Sequence, residues 1–298
     1  MKPLTAVRTW TRAHPALAGL VVVLVIGTLL RVAFILLWRP SMTGYSDSGI
    51  YIQDAATGPF ADPLRVVGYG MFLSALHWIS PHLLLVTVVQ HVMGLVTAVL
   101  LFDTVRRCGG PVVLGLAPAA VVSLGGTQMF LEHAALAEAL FTFLIAVILY
   151  AAVLAWRGSF WWGLLAGACA GLSVTVRGAG AIVVPLVVIW LLFCRGRPTA
   201  RTALAALLTL VVSLGVVGGY IGWRHADTGL NGLTTNANWN LYGRVAPFAD
   251  CTKFTPPAGT EAMCESRPPE GPFGWWMTNA RPFCGSRPRY QLSPFGLR

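Results

Sequence analysis

Long apolar runs separated by short polar segments fill the chain up to about residue 222. A helix that crosses a bilayer needs about 20 mostly apolar residues, so these runs predict an all-α polytopic membrane protein with about seven transmembrane helices. The predicted spans cover residues 17–38, 83–102, 112–126, 136–156, 160–176, 179–194 and 202–222.

One apolar run, residues 67–80, is too short for a full span. It contains Gly68 and Gly70 and is followed by Pro81. We therefore predict a juxtamembrane or re-entrant segment inside an outer loop, residues 39–82. Counting this run as a span would invert the orientation of every helix after it.

The first apolar run also resembles a signal peptide, because Lys2, Arg8 and Arg12 precede it. It has no small-residue cleavage site, and it continues past Arg31 to Trp38. Both features favour a helix that stays in the protein.

The composition changes near Trp223. Residues 223–298 are rich in proline, tryptophan and asparagine and contain no spanning run. We predict an irregular extracytoplasmic loop or tail that packs over the outer mouth of the helical module, residues 1–222.

The overall composition agrees with a membrane protein. Hydrophobic residues make up 56% of the 298 residues and charged residues 11%, whereas about 25% are charged in an ordinary soluble domain. The formal net charge is +10, its natural partner is an anionic lipid headgroup, and no nucleic-acid-binding motif is present.

The positions of the cations predict the orientation, because lysine and arginine are retained on the cytoplasmic side. A cytoplasmic N-terminus leaves only Arg39, Arg65 and Arg177 in the outer loops before residue 223. The protein is thus predicted to be multi-pass in the plasma (inner) membrane with its first loop extracytoplasmic. The predicted inner segments hold Lys2, Arg8, Arg12, Arg106, Arg107, Arg157, Arg195, Arg197 and Arg201.

Two cysteines fall in the segment that is predicted to lie outside. Cys251 and Cys264 would be in an oxidising compartment, where a disulfide persists, and we predict that they pair. Cys284 is left over as an odd outer cysteine.

The first outer loop is the acid-rich part of an acid-poor chain and holds the candidate chemistry. Asp47 and Asp54 are seven residues apart, so a helix that starts near residue 46 brings them and Tyr51 to nearly one face. Paired carboxylates serve as general base and supporting partner, or as metal ligands. The alternative is a solvated loop in which Asp47 caps a helix.

Three arginines are candidates for binding a phosphate. Arg65 lies at the membrane surface, where it either grips a phosphate or snorkels to headgroups. Arg177, at the outer end of the fifth span, needs a cavity or a partner, and an ion pair with Glu132 or Glu138 would also satisfy it. Arg31 is within span one and has the same alternatives.

A second polar cluster surrounds the short outer loop before the fourth span. Glu132, His133 and Glu138 are candidates for substrate binding. Glu138 has an ordinary structural explanation, because a carboxylate at a helix start is favoured by the helix dipole.

Short motifs in a fixed order give these positions a context over residues 20–222. They are residues 47–51 (DSGIY), 65–73 (RVVGYGMFL) and 137–143 (AEALFTF), with Arg177 and Pro185 around span six. In this order they resemble the GT-C superfamily of polyprenyl-phosphate-dependent membrane glycosyltransferases, which includes protein mannosyltransferases and lipid A aminoarabinose transferases. Residues 241–251 (LYGRVAPFADC) look similar to an actinobacterial branch.

The resemblance implies a mechanism. Asp47 would act as general base on an acceptor hydroxyl while a sugar leaves a lipid phosphate with inversion; an ordinary aspartate, with a pKa near 3.9, is ionised at neutral pH. The leaving phosphate gains negative charge, so it needs cationic donors, for which Arg177, Arg65 and Arg244 are the candidates. The implied partners are a polyprenyl-phosphate-linked sugar and an acceptor lipid, glycan or protein. The sequence neither demands nor excludes a divalent metal.

The chain departs from the family in two ways. The family loop reads Arg-x-Pro-Gly-Tyr-Pro, whereas Val67 and Gly70 take the proline positions here, which is expected to loosen the turn. The family's later helices, which help to hold the lipid carrier, do not follow, and the residues after Arg281 are basic and low in complexity. Both features fit a C-terminally truncated or frameshifted product, which would keep the donor-side fold yet have little activity.

Two other classes remain as alternatives. A non-catalytic membrane subunit, or an inactive truncated glycosyltransferase, fits the expected truncation. A transporter is less favoured, because few polar side chains other than Arg31, Gln90 and His91 fall inside the predicted spans.

Overall fold

The structure is a computed structural model that describes residues 14–39, 41–44, 47–194, 196–235, 250 and 252–255. The chain divides into two compact units, residues 1–234 and 235–298. In the described part of the second unit, Asp250 accepts a hydrogen bond from the Thr252 hydroxyl at 2.6 Å and pairs with Lys253 at 3.2 Å.

Among the described residues of the first unit, the regular secondary structure is helical, apart from one isolated β-bridge between Met42 and Ala134. Two short 3₁₀ turns, Val112–Gly115 and Gly178–Ile182, each lead into an α-helix. The α-helices are α1 Pro15–Leu37, α2 Ser48–Thr57, α3 Gly68–Ile79, α4 Leu83–Arg107, α5 Leu116–Leu124, α6 Gly126–His133, α7 Ala137–Arg157, α8 Trp162–Val176, α9 Val183–Phe193 and α10 Ala200–Thr228.

Among the described residues, four helices are long and apolar enough to cross a membrane, namely α1, α4, α7 and α10. A fifth span is obtained if the pair around Gly125, bent by 48°, counts as one crossing. An all-helical chain with these helices is compatible with a polytopic membrane protein.

The helix lengths in the structure do not reproduce the prediction of seven full-length spans. The predicted span 112–126 breaks at Gly125, because this glycine has an extended backbone conformation between α5 and α6. The spans predicted at 160–176 and 179–194 correspond to shorter apolar helices, α8 and the segment Gly178–Phe193. α3 has 12 residues, in agreement with its prediction as a shorter piece.

The ends of the helices follow from local chemistry. Pro15 starts α1, where its missing N–H costs nothing. Thr199 and Thr202 form a reciprocal capping box at the start of α10. Gly229 ends α10 in the left-handed conformation with φ 71°, which glycine adopts without steric cost.

α8 and α10 pack closely through small residues. A Cβ added at Gly167 would lie 2.7 Å from the Thr209 carbonyl oxygen, and one at Gly163 would lie 2.5 Å from the Ala205 carbonyl oxygen. The Ser213 hydroxyl donates to the Gly167 carbonyl at 3.0 Å. Close backbone approach with hydroxyl hydrogen bonds is typical of helix pairs in membranes.

The two ends of the helical unit differ in charge. At one end, the Asp103 carboxylate of α4 lies 2.5 Å from both Arg106 and Arg107, and Arg157 of α7 donates to the Arg107 carbonyl. At the other end lie α2, α3 and the loop between them, which carries Asp62. The acidic first loop is therefore separated from this basic end by the length of α4.

Candidate functional site

Asp47 and Asp62, in the first loop, both form ion pairs with Arg65. Arg65 Nη2 donates to Asp47 Oδ1 at 2.8 Å, and Arg65 Nη1 donates to Asp62 Oδ2 at 2.8 Å. The Asp47 side chain is 41% exposed and that of Arg65 24%. The Asp47 carboxylate is thus held in place by Arg65 and still open to a second molecule.

Local structure explains how Asp47 reaches this position. It precedes α2, and its backbone carbonyl accepts hydrogen bonds from the N–H groups of Ile50 and Tyr51. Its side chain makes no capping bond to the helix. The carboxylate is therefore directed to Arg65, and the expected alternative of a side-chain N-cap does not occur.

Tyr51 and Asp54 lie on the buried side of α2, so the helix does bring these predicted residues to the same region as Asp47. Burial, with the nearby charges of Asp47 and Glu138, raises the pKa of Tyr51 to about 12. The Tyr51 ring contacts the Tyr69 ring edge-to-face, with 5.0 Å between centroids. The Tyr51 hydroxyl thus stays protonated at neutral pH and can donate a hydrogen bond.

Asp54 is 5% exposed. Burial, and then the negative charge of Asp62, raise the pKa of Asp54 to about 6, although a hydrogen bond from the Asp62 backbone and the charge of Arg65 oppose this shift. Perturbed carboxylates cluster at functional sites. Asp54 is therefore a second acid of the candidate site, seven residues after Asp47 along α2.

Glu138 and Arg177 form the other side of the site. Their side chains make an ion pair and remain about one third exposed. The charges of Glu138 and Arg177, like those of Asp47 and Arg65, act on the Tyr51 hydroxyl. The structure therefore places Tyr51 within electrostatic reach of two ion pairs, Asp47–Arg65 and Glu138–Arg177. It resolves the alternatives for Arg177 in favour of Glu138.

Glycines in α3 allow these elements to meet. A Cβ at Gly68 would lie 2.6 Å from the Thr175 carbonyl oxygen, two residues before Arg177, and one at Gly70 would lie 3.3 Å from the Asp54 Cβ. Val67 is 2% exposed. The two positions at which the resembled family carries proline, Val67 and Gly70, are therefore closely packed here.

Glu132 and His133 belong to a different network, which is fully buried. Glu132 Oε2 accepts from Arg31 Nε at 2.8 Å, and Oε1 accepts from Arg31 Nη2 at 2.9 Å and from Gln128 at 3.0 Å. Gly94 leaves the room that the Glu132 carboxylate occupies. Glu132 is 0% exposed and Arg31 is 2% exposed, so this pair ties α1 to α6 inside the bundle.

The buried network reaches the candidate site through two polar side chains. The Tyr69 hydroxyl donates to Gln90 Oε1 at 2.8 Å, and Gln90 Nε2 donates to the carbonyls of Glu132 and Ala134. Since Tyr69 packs on Tyr51, the backbone around Glu132 is joined to the candidate site by consecutive contacts. Glu132 and His133 therefore support the region and do not face it.

Several predicted residues lie outside the described part of the chain. Arg244, and the cysteines 251 and 264 of the predicted disulfide, are among them, so these remain predictions. Within the described residues, no group of three or more His, Cys, Asp or Glu side chains is arranged to hold a metal ion.

Sequence reasoning did not select three residues that the structure places in these networks. Asp62 is a third carboxylate of the first outer loop, and it shares Arg65 with Asp47. His91 contacts Glu132, and Arg224 is buried and donates to the Pro63 carbonyl at 3.1 Å. The rule that ionisable side chains inside a membrane pair with one another would have pointed to His91 and Glu132.

The fold and the site together define a helical protein with several apolar, membrane-compatible helices and a charged cluster at one end. Comparison of the chain with protein-family models, curated proteins and solved structures gives no match. Its function is therefore argued from the site itself.

Proposed function

We propose that the protein is a membrane glycosyltransferase of the GT-C kind, which moves a sugar from a polyprenyl phosphate to an extracytoplasmic acceptor. In this proposal α8 and the segment Gly178–Phe193 complete seven crossings, the N-terminus is cytoplasmic, and the end that carries Asp47 faces outward. The observation that carries the proposal is the Asp47–Arg65 contact at 2.8 Å in a partly exposed cluster.

The chemistry needs a base, and Asp47 supplies it. The acceptor hydroxyl gives its proton to the Asp47 carboxylate while its oxygen forms a bond to the sugar's anomeric carbon. The bond from that carbon to the phosphate oxygen breaks, and the polyprenyl phosphate leaves as a monoester. Attack opposite the leaving group inverts the anomeric centre.

The leaving phosphate gains charge and requires a cation. Arg65 is already shared by Asp47 and Asp62, whereas Arg177 has one carboxylate partner and is 38% exposed. Arg177 is therefore the better phosphate contact of the two. Arg65 serves to orient Asp47, and Tyr51, protonated between the two ion pairs, donates a hydrogen bond to the sugar or the phosphate.

The test is transfer by the purified full chain in vesicles supplied with a panel of polyprenyl-phosphate sugars and acceptors. Asp47→Asn keeps the shape of the side chain and removes the base, so we expect transfer to fall by about 100-fold or more. Asp227→Asn, on the exposed last turn of α10, is the matched control and should keep full activity. Unchanged transfer by Asp47→Asn would refute the assignment of the base.

A non-catalytic membrane subunit is the second candidate. The observation in its favour is that Arg65 and Arg177 are both already paired with carboxylates, which is also how a purely structural cluster would look. This candidate predicts no turnover with any donor of the panel and stable co-purification with a partner protein. Turnover by the purified chain alone would exclude it.

A further inference from the structure

A buried chain of three hydrogen bonds runs from Glu132 to the backbone of Trp38. His91 Nδ1 lies 2.9 Å from Glu132 Oε2, and His91 Nε2 lies 3.2 Å from His133 Nδ1. His133 Nε2 lies 2.7 Å from the Trp38 carbonyl oxygen. His91 is 3% exposed, and His133 and Glu132 are 0% exposed, so these three side chains lie inside the bundle, while the contact at the Trp38 carbonyl is part-buried.

The three contacts between Glu132 and the Trp38 carbonyl need more hydrogens than two neutral imidazoles supply. Each of the three contacts needs one hydrogen, because a carbonyl, a carboxylate and an imidazole lone pair are all acceptors. Two neutral imidazoles carry one N–H each, which satisfies only two contacts. If both imidazoles are neutral and Glu132 is ionised, two lone pairs face each other at one contact.

The third proton belongs to the imidazole pair. Both Glu132 oxygens already accept from the Arg31 guanidinium, so a proton on the carboxylate would compete with those bonds. A proton on His91 or His133 completes all three contacts. The Phe34 ring stacks on His133 with 4.3 Å between centroids, a position that favours a cationic ring.

We propose that His91 and His133, between Glu132 and the Trp38 carbonyl, form a proton-binding site inside the helix bundle, and that the bound proton fastens the segment leading to the first loop. The charged groups that face this site from the packed helices are Arg31 of α1 and Glu132 of α6. The other polar side chains at the network, Gln90 and Gln128, are uncharged.

The described residues that are fastened are Trp38, Ser41 and Met42. The His133 carbonyl accepts from the Ser41 hydroxyl at 2.8 Å and from the Met42 N–H at 3.2 Å, and the Ala135 N–H donates to the Met42 carbonyl. Both the side chain and the backbone of His133 therefore hold the strip of chain that precedes Asp47. Loss of the third proton breaks one bond of the chain and loosens this strip.

The proton is read directly from the histidine ring nitrogens. The full chain, with ¹⁵N-labelled histidine, is observed by NMR in detergent micelles from about pH 5 to about pH 8, and His91→Gln and His133→Gln variants assign the signals. We expect one imidazolium signal, shared by the two rings, at the low end of this range and two neutral rings at the high end. Two neutral rings over the whole range would overturn the proposal.

The loosening of the segment is measured by thiol labelling at Ser41. This side chain is 7% exposed, so a thiol in its place reacts when the segment loosens. We measure the labelling rate of Ser41→Cys relative to the exposed Cys108, which corrects for the pH dependence of the reagent. The relative rate should rise about tenfold between about pH 5 and about pH 8, the population change expected on losing one hydrogen bond to a charged group.

The control is the His91→Gln/His133→Gln double variant in the same Ser41→Cys background. It has no titratable ring in the chain, so its relative rate should not change with pH. A flat profile in the parent protein, or an equal pH response in the double variant, would overturn the proposal. Neither measurement depends on glycosyl transfer, so the proposal stands or fails independently of the proposed function.

Discussion

At the residue scale, a buried ion pair joins α1 to α6. Arg31 and Glu132 form two charged hydrogen bonds, of 2.8 and 2.9 Å, and both side chains are almost completely buried. Such a pair is costly to break, since removing one partner leaves an unpaired buried charge. The pair is therefore a structural anchor, and its strength is open to measurement.

Arg31→Met keeps most of the apolar stem and removes the charge that balances Glu132. We expect the free energy of unfolding to fall by about 3–5 kcal/mol. Arg106→Met, which breaks a pair that is 48% exposed on the arginine side, should cost less than about 1 kcal/mol. Unfolding in mixed micelles measures both, and equal losses would contradict the anchoring role of Arg31.

Asp54 predicts a pH dependence of stability. Its folded pKa of about 6 lies above the ordinary value of 3.8, so the folded state binds its proton more tightly than the unfolded state does. The contribution of Asp54 therefore favours folding at low pH and is lost as the pH rises from about 4 to about 6. Above that range the protein holds a buried carboxylate in its charged form.

Asp54→Asn removes this penalty and keeps an oxygen for the Asp62 backbone N–H. At pH 7 we expect the variant to be more stable than the parent by about 1–3 kcal/mol, and near pH 4 we expect the difference to vanish. Thermal unfolding at the two pH values measures this, with Asp227→Asn as a control of constant effect. If Asp54→Asn were less stable than the parent at pH 7, the charged Asp54 carboxylate would have to make a stabilising contact, which would contradict this prediction.

At the scale of elements, close helix approach depends on glycine at particular positions. α8 presents Gly163, Gly167 and Gly171 at four-residue spacing, and added Cβ atoms there would meet the backbone or side chains of α10 at 2.5–2.7 Å. These glycines set how closely α8 and α10 pack, and the hydroxyls of Thr209 and Ser213 bond across the same seam.

Gly167→Ala should force the two helices apart. The expected loss in the free energy of unfolding is about 1–3 kcal/mol, the usual cost of overpacking. Gly215→Ala is a matched control, because an added Cβ at this α10 position meets nothing within 4 Å, and alanine's helix propensity should leave stability equal or raise it by up to about 1 kcal/mol. If both variants behaved alike, the close approach of α8 and α10 would not be what stabilises the seam.

At the scale of the whole molecule, the proposed function depends on the predicted orientation in the membrane. Gly49 is a suitable position for a thiol label, because it is exposed and has no heavy atom within 4 Å of an added Cβ. The neighbouring Ser48 is fully buried and would not react. In intact cells an impermeant thiol reagent should modify Gly49→Cys, whereas Cys108 should react only after permeabilisation. The opposite order, or labelling of both from one side, would contradict an outward-facing Asp47 cluster.

Apolar run length and charge were sufficient to predict an all-helical chain with membrane-compatible helices, a short α3 and an acidic first loop. These properties depend on local periodicity and composition, which a sequence shows directly. The break at Gly125 shows where local information fails. An apolar run has the same composition whether it continues straight or bends by 48°, and the surrounding packing decides between the two.

The tertiary structure alone decided which charges meet. Spacing along α2 was enough to place Tyr51 and Asp54 near Asp47, but the partners of Arg31 and Arg177 lie on other helices. Glu138 therefore pairs with Arg177 while Glu132, six residues earlier, pairs with Arg31. The side chains available to an arginine depend on the helices packed around it, since an ion pair joins groups that are close in space, however far apart they are in sequence.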